Sequence, residues 1–284
     1  MSNIKNVMKK AEDFKFNSLM YVEEEDIETA KLCIDTEDSL FLYISLNTDR
    51  EIGTYTKSKN NFQVFWASNT KESYFEGLEQ TINYIRKNEA EAERVYIEFV
   101  PAEFVNDMES LGFNTVSEWI DYWNKDLYAL KLPVDDNFKV RGFENMEDIA
   151  QIAAVTKSCA GYSRGFTGQS EETIKEWSNM EKSRLFLAED DNHIIGVCFG
   201  ILYGFESEKG TILWIRELAV KPKYQSRGIG RKLLYSAIRW GQESKARRSF
   251  LACDAENQRA LNLYKSLNYQ SNGEPGQINM DYKL

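Results

Sequence analysis

The sequence predicts a protein of the α/β class: a mixed, mostly antiparallel sheet flanked by helices, present in two tandem copies. Three observations predict it. Strand and helix periodicities alternate through residues 139–284, with a meander of strands ahead of a strand-helix-strand part. The stretch Leu130-Lys-Leu-Pro-Val-Asp-Asp-Asn-Phe138 reads as a linker, and 284 residues leave room for about two domains. The halves also repeat at an offset of 156 residues: Ser110-Leu-Gly-Phe113 falls on Ser266-Leu-Asn-Tyr269, and Arg94-Val-Tyr-Ile97 on Phe250-Leu-Ala-Cys253. With no gap, Val64 falls on Val220, and the helix expected at Lys71–Lys87 on the one that starts near residue 229.

The expected order is a basic, partly helical leader (1–17, with Lys5, Lys9, Lys10 and Lys15), a first copy (18–130), the linker (131–138) and a second copy (139–284). In the second copy Lys139-Val-Arg141 opens with a short strand. A helix follows with Ile149, Ile152, Ala153 and Val155 at helical spacing. After the Gly- and Ser-rich loop 159–169, Ser170 caps a second helix, with Glu172 behind it. Leu185–Ala188 and Ile194–Tyr203 are strands around an Asp-Asp-Asn-His turn. Thr211–Val220 is a long strand ended by Pro222. A helix over 229–244 carries Ile229, Leu233, Ala237 and Trp240 on one face. Ser249–Cys253 is a strand, 257–267 a helix and 278–284 the last strand.

Composition removes several chemistries. The four cysteines are far apart and form no CxxC pair, so a zinc ribbon, a redox pair or a disulfide scaffold is not expected. The single histidine, His193, lies in the polar turn, which leaves no Ser-His-Asp or Cys-His pair and no His-rich metal site. The net charge is −12 up to Asp135 and +2 beyond it, so a nucleic-acid partner is not expected and the halves have different jobs. No apolar run reaches the roughly 20 residues of a membrane helix, and the start has no secretory pattern, so no membrane partner is expected and the expected compartment is the cytoplasm.

The chemistry is concentrated in Leu218-Ala-Val-Lys-Pro-Lys-Tyr-Gln225-Ser-Arg227-Gly228-Ile-Gly230-Arg231. A strand ends, a loop turns, and two glycines open a helix. Such glycines let a backbone approach a ligand closely. The unpaired N–H groups of the first turn, with the helix dipole, favour an anion such as a pyrophosphate. A third glycine of a dinucleotide fingerprint is missing, since Leu233 stands there, and so is a Gly-Lys-Ser/Thr phosphate loop.

Gln225-Ser-Arg-Gly-Ile-Gly, preceded by Glu217-Leu-Ala-Val, resembles the Q/R-x-x-G-x-G/A signature of the GNAT superfamily of N-acetyltransferases. Downstream, Asn257-Gln-Arg-Ala260-Leu-Asn-Leu-Tyr264-Lys-Ser-Leu-Asn-Tyr269 resembles that family's N-x-x-A-x-x-x-Y motif, with Asn268 where glycine is usual. Asparagine is the next best residue for a left-handed helix cap. The resemblance covers about residues 139–284. It implies acetyl-CoA as cosubstrate and no metal. Residues 227–231 (Arg227, Gly228, Ile229, Gly230 and Arg231), with Gln225 and Ser226 of the same signature, would take the pyrophosphate. The strand Leu218, Ala219 and Val220 would pair with the pantetheine arm and polarise the thioester, and Asn257 would hydrogen-bond that arm. The acceptor would be a primary amine of a small molecule or peptide, met by the loop bearing Tyr162, Arg164 and Phe166. Many such domains pair as homodimers.

The reaction itself sets two further roles. An incoming ammonium needs a base, and Glu217 lies just before the cofactor strand. A departing thiolate needs an acid, and the Tyr264 phenol is near; its plain alternative is a core position on an amphipathic helix. Two other functions stay open: a non-catalytic acetyl-CoA sensor, and transfer of a longer acyl group. In the front half Gly228 is matched by Glu72, Gly230 by Tyr74, Asn257 by Pro101 and Tyr264 by Met108, so that half reads as a degenerate GNAT-like copy without a cofactor site, in a scaffolding or acceptor-side role; the alternative is an unrelated α/β domain with a chance match.

Overall fold

In the computed structural model, which describes residues 2–22, 24–46, 60–133 and 139–284, the chain divides into two units. One is Met1–Glu118 with Gln277–Leu284, the other Trp119–Gly276. Both have the mixed, mostly antiparallel sheet flanked by helices that the sequence predicts.

The first unit contains α1 (Ser2–Lys10), β1 (Phe16–Asn17), α2 (Glu24–Thr29), β2 (Lys31–Asp35), β3 (Ser39–Ser45), β4 (Asn61–Ser68), α3 (Lys71–Asn88), β5 (Arg94–Val100), α4 (Val105–Ser110) and the start of β6 (Asn114–Asn124). The expected leader is part of this fold. Ile4, Val7 and Met8 recur at helical spacing and pack with Ala11 against buried Leu40, Leu42 and Ile44 of β3. Phe16 and Asn17 pair with Ser68 and Ala67.

The second unit runs from the end of β6 through β7 (Lys139–Gly142), α5 (Asp148–Lys157), α6 (Glu171–Asn179), β8 (Ser183–Asp190), β9 (His193–Tyr203), β10 (Ile212–Val220), α7 (Ile229–Glu243), β11 (Arg248–Asp254) and α8 (Gln258–Lys265) to β12 (Gln270–Ser271). Its elements lie within two or three residues of the sequence reading. Ser170 caps α6 by accepting from the Thr173 amide. His193 is exposed beside the left-handed residues Asp191 and Asn192. The sheet order is β6-β11-β10-β9-β8-β7, with only β10 and β11 parallel. The first unit repeats it: β2, β3 and β4 are antiparallel, and β4 and β5 are parallel. Gly112 and Asn268, matched by the 156-residue offset, both have positive φ (95° and 60°).

The unit boundaries depart from the sequence reading at both ends. The chain passes between units inside β6, at 118/119, so residues 119–130 belong with the second unit. The linker expected at 131–138 lies outside the described residues from 134 on. The last strand, β13 (Gln277–Lys283), expected in the second copy, pairs antiparallel with β5 in the first unit. There Arg94 is ion-paired with Asp281, and the Asn279 side chain donates to Ser117 Oγ at 3.2 Å. The end of β6 takes the matching place beside β11, with Asn124 opposite Ser249 and Trp119 opposite Asp254. Strand pairing is made by backbone groups, so a final strand of similar alternation fits the same slot in either copy.

Candidate active site

The site is built where β10 and β11 part. They are in register only at Ile212–Trp214 against Arg248–Phe250, and no later residues of the two strands pair. No strand therefore lies along the inner backbone edge of Leu218, Ala219 and Val220, while their other edge pairs with Cys198, Val197 and Gly196 of β9. A bulge at Arg216 bends β10 here, and its extra residue shifts the side-chain alternation. Arg216 is exposed, its guanidinium 4.9 Å from the Trp214 ring centroid, and Glu217 is turned inward and buried. A cavity of about 750 Å³ fills the gap.

The mouth of the cavity is the start of α7. Gly228 is its N-cap at φ +83°, where only glycine is unstrained, and a Cβ built there would have no atom within 4 Å. No side chain caps the helix, and the first intrahelical bond runs from the Lys232 amide to the Gly228 carbonyl. The amides of Gly228, Ile229, Gly230 and Arg231 thus have no partner among the described residues. An uncapped end costs about 1 kcal/mol. Buried Ile229, Leu233, Leu234 and Ile238 anchor the helix, at roughly 1.5–3 kcal/mol each, so packing outweighs the missing cap. An open, left-handed glycine beside four free amides fits a pyrophosphate.

The remaining expected cofactor residues divide. Leu218, Ala219, Val220, Gln225, Ser226 and Asn257 line the cavity. Asn257 caps α8 through its side-chain carbonyl, 3.2 Å from the Ala260 amide, which leaves its NH₂ group unpaired among the described residues. Gln225 donates to the Val220 carbonyl at 2.9 Å and accepts from Arg259, so its side chain holds the loop rather than reaching for a ligand. Arg227 is exposed over the Tyr224 ring, 5.4 Å from its centroid, and is not part of the wall.

Glu217 and Tyr264 meet in the same cavity. Burial pushes the Glu217 carboxyl up to about 7, against the lowering effect of hydrogen bonds from the Gln169 side chain and the Leu218 backbone and of the nearby Arg216 charge. Gln169 Nε2 lies 3.1 Å from Glu217 Oε2. Tyr264 is buried, its hydroxyl has no hydrogen-bond partner among the described residues, and burial holds its proton well above the ordinary phenol range. Cys253, also in the wall, is pushed by burial up to about 12, which keeps it a thiol and no nucleophile. Of the loop residues Tyr162, Arg164 and Phe166, the first and last line the cavity and Arg164 does not. Its Nε is 3.1 Å from Asp254 and a terminal nitrogen 3.0 Å from Glu256, so it is engaged in ion pairs and is not available to an acceptor anion.

Sequence reasoning does not mark several wall residues, Trp119, Cys159 and Arg259 among them, or one supporting residue. Trp119 belongs to the front half by sequence and arrives through β6. Cys159 donates to the Val220 carbonyl at 3.2 Å, a contact with no local signal. Arg259 stands two residues after Asn257 in the motif already quoted, and that spacing could have marked it. Gln169 is the supporting residue. Among the described residues no cluster of three or more His, Cys, Asp or Glu can hold a metal ion, and no helix is long and apolar enough to cross a membrane.

A parallel strand pair thus splays over an uncapped helix start, with a buried carboxyl and a buried phenol lining the cavity between. Residues 148–269 match the model of the acetyltransferase (GNAT) family, which marks that segment as a GNAT acetyltransferase domain. A Bacillus subtilis (strain 168) protein, provisionally named a ribosomal protein bS18-alanine N-acetyltransferase, is 33% identical over 94 residues. The match covers 33% of this chain and 56% of that relative, so the chain spans about half the length of the relative it matches. A GCN5-related N-acetyltransferase from Sphaerobacter thermophilus superposes with a TM-score of 0.58 at 16% identity, over 88% of this chain and 82% of the other. A Staphylococcus epidermidis ATCC 12228 protein of unknown function gives 0.55 at 14% identity, over 83% and 92%. At such identities these two likenesses show the fold.

Proposed function

We propose that this protein is an acetyl-CoA-dependent N-acetyltransferase that moves the acetyl group directly to a primary amine of a small molecule or peptide, with both substrates bound together. One observation carries the reading: Glu217 and Tyr264 lie in one cavity whose mouth is four free amides. Acetyl-CoA supplies an activated acyl thioester. The amides of residues 228–231 hold its pyrophosphate, assisted by the Arg231 charge. The inner edge of Leu218–Val220 pairs with the pantetheine arm, with Asn257 donating from α8, and aims backbone N–H groups at the carbonyl oxygen. Glu217, held near neutrality, takes the proton from the amine, and Tyr264 donates its hydroxyl proton toward the leaving sulfur. Tyr162 and Phe166 border the acceptor. Glu217→Gln is expected to lower turnover about 10²–10⁴-fold, the range of a lost general base, with acetyl-CoA affinity nearly unchanged. The acid limb of kcat/KM, expected near pH 7 in the parent, disappears with it. A limb that survives in Glu217→Gln sinks the base assignment. Release of CoA thiol against a panel of amines separates this reading from a sensor without turnover.

The front unit serves as scaffold in this reading. At the place matched to the α7 start, α3 is closed by a capping box: Thr70 Oγ1 accepts from the Ser73 amide at 3.0 Å, and Ser73 Oγ from the Thr70 amide at 3.2 Å. Tyr74, matched to Gly230, is fully buried against Trp66 and Phe104. Its hydroxyl points at the sulfur of Met108, the residue matched to Tyr264. The chain's own side chains therefore fill what in the second unit is open. One acetyl-CoA per chain is the expected calorimetric stoichiometry; two sites per chain would refute the scaffold role.

A further inference from the structure

We propose that Gln169 is the positioning residue of this site: brought in by a close approach of its loop to α5, its side-chain amide holds the Glu217 carboxylate in the orientation that faces the cavity. The inference rests on the reading of Glu217 as base and deepens it. Gln169 is not itself part of the cavity wall; its side chain reaches Glu217 Oε2 at 3.1 Å. Its backbone is pinned on both sides. The Gln169 amide donates at 2.9 Å to Oγ1 of the buried Thr156 of α5. That hydroxyl donates in turn to the Ala153 carbonyl at 2.9 Å. Next along the chain, Ser170 caps α6. Before it, Gly168 has φ +94°, and a Cβ there would lie 2.5 Å from the Lys157 Cα, a contact with backbone that cannot give way. The loop comes this near to α5 only because residue 168 has no side chain.

A buried carboxylate needs a donor, and Gln169 is the side-chain donor in place. The titratable or charged groups that face Glu217 are Arg216 beside it on β10, the Cys159 thiol after α5, the Cys198 thiol on β9 and the Tyr264 hydroxyl on α8. Burial keeps the thiols and the phenol protonated, so none of the three competes as an anion. Arg216 acts by charge, exposed to solvent. The Gln169 amide fixes one carboxylate oxygen by a directional bond, beside the bond from the Leu218 backbone. Donation by Nε2 favours the ionised form, the form that accepts a proton.

The test is the pH profile of kcat/KM for thiol release, read on the full chain with acetyl-CoA and an accepted amine. In Gln169→Leu, of similar size and without a donor, the acid limb is expected to move up by about one pH unit. Activity near pH 6 then falls about tenfold relative to the parent, and acetyl-CoA affinity by calorimetry stays unchanged. Gly168→Ala, which pushes the loop off α5, is expected to move the limb the same way. If Gln169→Leu does not fold, Gln169→Ser, too short to reach the carboxylate, is read instead. A limb that stays in place in these variants, while Glu217→Gln abolishes it, overturns the positioning role and leaves the base assignment standing. A limb that persists in Glu217→Gln overturns the base assignment and the positioning role with it.

Discussion

Gly228→Glu is expected to abolish acetyl-CoA binding while the chain still folds. The fold survives because a Cβ at Gly228 meets nothing within 4 Å, so the new side chain enters open space. The left-handed φ of +83° adds strain of about 1–2 kcal/mol for a residue with a Cβ. The buried face of α7, with Ile229, Leu233, Leu234 and Ile238, is untouched and outweighs that strain. Binding is another matter. A carboxylate about 4 Å from a phosphate charge costs roughly 4 kcal/mol at an effective dielectric of 20. That is about a thousandfold in affinity, and the helix dipole returns at most about 2 kcal/mol. Gly228→Ala separates strain from charge and is expected to weaken binding far less. The readout is calorimetric titration with acetyl-CoA, with circular dichroism as the control for folding. Tight binding by the folded Gly228→Glu variant would show that the pyrophosphate lies elsewhere. The same substitution recreates position 72 of the front half, where Glu72 is matched to Gly228.

The second large effect is on turnover. Tyr264→Phe removes one oxygen that has no hydrogen-bond partner among the described residues, so no protein bond is lost and thermal stability should hardly change. Acetyl-CoA affinity should be nearly unchanged. Turnover is expected to fall about 10²–10⁴-fold, the range of a lost general acid. Burial raises the Tyr264 proton affinity well above the free phenol, which at first argues against an acid. The thiol beside it answers the objection: Cys253 in the same wall is pushed up to about 12 by the same burial. A thiolate leaving into this environment gains proton affinity as well, so donor and acceptor stay matched. Single-turnover kinetics, where chemistry limits the rate, give the decisive number. An unchanged rate would reduce Tyr264 to a packing residue of the α8 face, beside Leu261 and Leu267.

The polar and charged landmarks of the site were readable because they are local. Glycine at 228 and 230 announces a strand-to-helix turn wherever the rest of the chain goes, since φ +83° at Gly228 is a property of one residue. Asn268 was placed at a helix end in the same way, and it has φ 60°. Ser170 and Asn257 mark helix starts because their side chains bond to amides only three residues ahead. The ion pairs of Arg164 are not legible for a non-local reason: its partners, Asp254 and Glu256, are about ninety residues further along the chain, and nothing near residue 164 announces them.

By itself, then, the sequence determined the alternation of strands and helices, the repeat and the glycine-led helix start, all of them consequences of local periodicity or of one residue's backbone freedom. Only the tertiary structure decided which strand completes which sheet, that Trp119 reaches the second unit's cavity, that Gln225 holds its own loop, and that Gln169 supports Glu217. Each of these depends on backbone groups or side chains brought together from distant positions. A backbone hydrogen bond is indifferent to which strand supplies it, and a buried carboxyl takes its proton affinity from whatever the fold packs around it.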